Sequence, residues 1–78
     1  MKYLIVKKMG LEVGIIFGEA LSHKEVVRVH NCNDVTVVSA GFCADDDNGL
    51  WTTWGESVSL DGMKSRPIDA QVLNRSMR

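Results

Sequence analysis

The stretch VTVVSAGFCADDDNGLWTTWGESVSL, Val35 to Leu60, constrains this chain more than any other. Two runs rich in β-branched and aromatic residues, Val35–Ala44 and Leu50–Leu60, flank a polar tip, Asp45–Gly49. Such runs around a Gly-containing tip predict an antiparallel hairpin. In its second strand, Leu50, Thr52, Trp54, Glu56, Val58 and Leu60 share one parity, and Trp51, Thr53, Gly55, Ser57 and Ser59 the other. Trp54 is therefore expected in the core and Trp51 on the opposite face, unless a bulge at Gly49 or Gly55 shifts the register.

The flanking sequence supplies material to pack on that hairpin. Lys2–Lys8 reads as a strand, Met9-Gly10 as a two-residue turn, and Leu11–Phe17 as a second strand with Leu11, Val13, Ile15 and Phe17 on one face. Ser22 and Glu25 form a capping-box pattern that opens a helix from about His23 to His30, with Val26 and Val29 towards the sheet. Asn31–Asp34 is turn-like, and Asp61-Gly62 marks a turn out of the sheet. Ser65-Arg66-Pro67 then opens a terminal helix whose apolar stripe is Ile68, Val72, Leu73 and Met77. The order ββα-ββ-α predicts one α+β domain over residues 1–78. Its expected architecture is a four-stranded antiparallel sheet of two hairpins, with two short helices on one face. A small open barrel plugged by the helices is the alternative.

Composition narrows the class. Apolar residues make up 45% of the chain and charged residues 24%, which excludes a disordered segment. A net charge of −1 gives no electrostatic footprint for non-specific nucleic-acid binding. A chain of 78 residues is short of core, so dimerisation stays open. The N-terminal apolar run, Tyr3–Val6, is too short for a signal peptide or a membrane span, and the expected location is the cytoplasm. There Cys32 and Cys43 are expected as thiols.

Motifs for chemistry fail on spacing. An EF-hand register starting at Asp45 places Glu56 at position 12 but Leu50 where glycine is required. His23, His30, Cys32 and Cys43 lack the close pairs that pre-organise zinc. Neither cysteine has a recognisable third group or oxyanion motif, and Gly10, Gly14 and Gly18 sit in a strand-and-turn context rather than a phosphate loop. The expectation is a protein that is not an enzyme and that uses no metal or cofactor. Two surfaces remain. If the helices cover one sheet face, Trp51, Tyr3, Ile5 and Ile16 lie on the other as an apolar partner or dimer surface. The competing reading curls the sheet and buries both tryptophans. The acidic tip, Asp45, Asp46 and Asp47, is a second recognition candidate, for a basic partner. Lys64, Arg66, Arg75 and Arg78 form a modest basic cluster that supports an alternative function, nucleic-acid binding.

Three segments carry a resemblance: Val38-Ser39-Ala40-Gly41-Phe42-Cys43, Trp54-Gly55-Glu56-Ser57-Val58-Ser59-Leu60 and Ser65-Arg66-Pro67-Ile68-Asp69-Ala70. With Leu21-Ser22-His23-Lys24 they resemble a family of very short bacteriophage and prophage proteins. The resemblance carries over no catalytic residues. It implies a mobile-element origin and a protein that acts by binding a host protein or protein complex, as anti-defence inhibitors such as anti-CRISPR proteins do. That implication is one of size and origin rather than of a site.

Overall fold

Tyr3-Leu4-Ile5 at the start of the chain has no polar alternation, and all three side chains are buried. A strand buried on both faces reads this way. The computed structural model, which describes residues 1–29 and 35–76, places this segment at the centre of the sheet. Strands β1 (Lys2–Lys8), β2 (Leu11–Phe17), β3 (Val35–Asp45) and β4 (Trp51–Trp54) form a four-stranded sheet in the order β2-β1-β3-β4. Every neighbouring pair is antiparallel. Helix α1 (His23–Val29) links edge strand β2 to β3, and helix α2 (Asp69–Ser76) ends the described chain. The protein is thus α+β with a four-stranded antiparallel sheet and short helices.

The expected order is met in outline, with two corrections. The helices lie on opposite faces of the sheet, not on one. Beneath α1, Val26 packs with Leu4, Phe17 and Ala40. Beneath α2, Val72 and Leu73 pack with Tyr3, Ile5 and Cys43, and Ile16, Val38 and Trp51 close around them. Second, the strand expected over Leu50–Leu60 stops at Trp54. Gly55 takes φ +82°, and a Cβ there would lie 2.9 Å from the Phe42 ring. The chain swings out into a small separate ladder, β5 (Glu56–Ser57) against β6 (Met63–Lys64), joined by a 3-10 turn at Val58–Leu60. Asp61 and Gly62, both left-handed, close that ladder.

Helix α2 also closes both edges of the sheet. At β4, Asn74 Oδ1 accepts the Trp51 N–H at 2.7 Å and Asn74 Nδ2 donates to the Trp51 carbonyl at 3.2 Å, as a neighbouring strand would. At β2, the Gly14 N–H donates to Ser76 Oγ at 3.2 Å. Unpaired edges invite further strand pairing, and this helix blunts them. Gly14 allows the close approach, since a Cβ there would collide with Leu73 Cδ2. The glycine serves packing, as its sequence context predicts.

Candidate functional site: an aromatic-floored groove

Four side chains stand in one row across the α1 face. Phe17 on β2 is opposite Lys2 on β1, Lys2 is opposite Phe42 on β3, and Phe42 is opposite Trp54 on β4. Ser22 Oγ accepts the Glu25 N–H at 3.1 Å, the N-cap half of the expected box, and this sets His23 at the first position of α1. The His23 ring then meets Phe17 and Phe42 edge-on, with centroids 5.3 and 6.1 Å away. Phe42 and Trp54 lie nearly parallel, 24° apart with centroids at 6.4 Å. His23, Phe42 and Trp54 floor an open groove of about 670 Å³ whose other side is the β5 arm, from Gly55 to Ser59.

The arm is fixed to α1. Ser59 Oγ accepts the Lys24 N–H at 3.2 Å and lies 3.3 Å from the buried Ser57 Oγ. His23 Nε2 is 2.9 Å from the Gly41 carbonyl, so this nitrogen carries the proton. Burial holds the His23 pKa below its ordinary value, outweighing the bond to Gly41, and the ring is neutral at neutral pH. Trp54 remains 50% exposed at the groove mouth and Val58 on the arm 87% exposed. The arrangement suits capture of an apolar or flat group against aromatic rings.

The opposite face carries a polar network instead. Tyr3 and Asp69 are fully buried, and the Tyr3 hydroxyl donates to Asp69 Oδ2 at 2.6 Å. Asp69 also accepts from Arg66 N and Nε, both at 2.9 Å. The first of these closes a turn over Arg66–Asp69, where the Asp69 N–H also donates to the Arg66 carbonyl at 3.0 Å, and α2 begins at Asp69 rather than at the expected Ser65-Arg66-Pro67. Arg66 Nη2 and Nη1 fork onto Glu12 at 2.5 and 3.3 Å. Desolvation first, and Asp69 second, raise the Tyr3 pKa, so the phenol stays a donor. The hydrogen bonds from Arg66 lower the Glu12 pKa. This network latches α2 to β1 and β2.

These contacts redistribute the candidates read from the sequence. Tyr3 is sealed under α2, and Ile16 and Trp51 pack against the same cluster, so the expected open face is covered. Trp54, expected in the core, is the open tryptophan instead. The two do lie on opposite faces, but α2 takes the Trp51 side. Asp45, Asp46 and Asp47 are exposed as expected. Asp46 also shapes the tip, its Oδ1 accepting the N–H groups of Asn48 and Leu50 at 2.8 and 2.9 Å. The basic cluster assembles only in part, with Arg66 and Arg75 both engaged at Glu12. Arg66 is committed to Glu12 and Asp69, Arg75 reaches the Glu12 carbonyl, Lys64 stands alone on β6, and Arg78 lies outside the described residues. Cys43 is buried with its thiol pKa pushed up by desolvation, and His30 and Cys32 lie outside the described residues. Among the described residues no group of three His, Cys, Asp or Glu side chains could hold a metal ion. No described helix is long and apolar enough to cross a membrane.

The groove escapes the sequence reading because parity separates the two tryptophans without telling which of the two faces α2 covers. The available signal was Gly55, directly after Trp54, where a left-handed residue ends the strand. The fold and site define a small α+β domain with an aromatic-floored groove on one sheet face. No protein-family model, curated protein or solved structure matches the chain.

Proposed function

We propose that this chain is a non-enzymatic interaction module that takes part of a protein partner into the groove at Trp54. The observation that supports this is the pairing of a half-exposed tryptophan, stacked on Phe42, with the almost fully exposed Val58 across the groove. Tryptophan is among the side chains that most often carry the binding energy where they anchor a partner, with near-neutral contacts around them excluding water. The resemblance to short phage and prophage proteins makes a cytoplasmic host protein or complex the partner, and blocking it the activity. On that reading the ββα-ββ-α order serves to present β4 and the β5 arm as one surface.

The test is comparative capture from bacterial lysate with wild-type protein, Trp54→Ala and Val58→Glu. Val58 makes little contact in the fold, so Val58→Glu keeps the wild-type melting temperature. One protein retained by wild type and lost by both variants is the expected result. Equal retention by all three contradicts the groove as the partner surface.

A further inference from the structure

We infer that the group entering the groove is an arginine side chain of the partner, its guanidinium laid on the open face of Trp54 and paired with Glu56. This deepens the proposed function and rests on the groove being the partner site. Trp54 offers a flat ring, half of it accessible, with Phe42 alongside holding its plane. Indole is the strongest of the aromatic faces for a cation. The left-handed Gly55 turns the chain immediately after the ring, which brings Glu56 into the wall of the same groove. Glu56 makes no ion pair among the described residues, although Lys64 is opposite it in the β5–β6 ladder. The groove therefore presents a ring and an unpaired carboxylate with no cation between them.

The groove's own cation is placed elsewhere. Lys2 is two strands from Trp54, roughly 10 Å at ordinary strand spacing, with Phe42 between them. Its Nζ donates to the Leu21 carbonyl at 2.9 Å, at the α1 end of the groove. Arginine fits better than lysine because its guanidinium is planar, weakly hydrated and able to stack while it donates to a carboxylate in the ring plane.

The experiment follows the Trp54 indole N–H resonance of the full chain, assigned with Trp51→Phe, during titration with blocked single amino acids. The probes are the N-acetyl, N-methylamide forms of arginine, citrulline and norleucine. The expected result is saturable movement with arginine, about fivefold tighter than with the uncharged isostere citrulline. Glu56→Gln should shrink that difference to the part the indole face supplies and leave citrulline affinity unchanged. Equal affinities for arginine and citrulline, tighter binding of norleucine, or an arginine preference undiminished by Glu56→Gln would each overturn the arginine assignment. Those results leave the groove itself to stand or fall with the lysate comparison. If no probe moves Trp54, the arginine assignment also fails.

Discussion

His23 shows how one side chain joins folding to the groove. It is buried between two phenylalanines, and burial lowers its pKa relative to the unfolded chain. The unfolded state then binds the extra proton first, so stability is fully present above the ordinary value near 6.5 and falls as pH drops through the folded pKa. We expect the His23 ring to titrate below 6.5 by NMR, and the melting temperature to fall over the same range of acidification. Tyr3 gives the opposite sign. Its raised pKa means that its contribution is intact below about 10 and is lost as pH rises beyond it. Tyr3→Phe should cost about 1–3 kcal/mol in urea unfolding at neutral pH, the value of a hydrogen bond to a charged group, and should remove that alkaline loss. An unchanged midpoint would show that Asp69 finds another donor.

Turns and strand ends decide the elements. Met9 and Gly10 both have positive φ, at 52° and 81°, which fits a two-residue hairpin turn. Methionine is a poor residue there and 88% exposed, so Met9→Asn should raise stability by about 0.5–1 kcal/mol without touching any packing. Gly55→Ala should lose more than about 1 kcal/mol, because it meets both the left-handed backbone and the Phe42 ring. Chemical denaturation measures each effect. Elements with local signals were legible in the sequence: the Met9-Gly10 turn, the Ser22 cap and the alternation of Leu11–Phe17, whereas the terminal helix starts at Asp69, two residues after Pro67. The unalternating run Tyr3-Leu4-Ile5 also held the information that both faces are covered, since a strand solvated on one side would show polar residues there. Parity held between Trp51 and Trp54 but did not carry on to Leu60, for a physical reason. Parity propagates only while the backbone stays extended, and Gly55 ends that just after Trp54. The network of Tyr3, Asp69, Arg66 and Glu12 had no sequence signature, because its members are brought together from positions 3 to 69 by the fold alone.

At the scale of the whole molecule, the two helices give the sheet one sealed face and one face left partly open. Helix α2 covers Tyr3, Ile5 and Trp51 and blunts both edges, while Trp54 and Val58 stay exposed on the α1 face and Leu11, Val13 and Ile68 stay exposed where β2 meets the start of α2. The acidic tip lies outside this packing. Replacing Asp45, Asp46 and Asp47 together by Asn should leave stability nearly unchanged, since an amide oxygen at position 46 can accept the same two backbone bonds. Asp46→Ala should instead cost about 1 kcal/mol, the value of a turn-shaping side chain, in thermal or urea unfolding. In a partner complex, the triple Asn variant should mainly slow association, which stopped-flow measurement would detect. The division into a sealed and an open face is tested most directly by collisional quenching of the two single-tryptophan proteins, Trp51→Phe and Trp54→Phe. With Trp54 alone present, emission should be red-shifted and strongly quenched by acrylamide and iodide. With Trp51 alone, it should be blue-shifted and protected. Greater accessibility of Trp51 than of Trp54 would mean that α2 does not seal its face, and that the recognition surface has been assigned to the wrong side of the sheet.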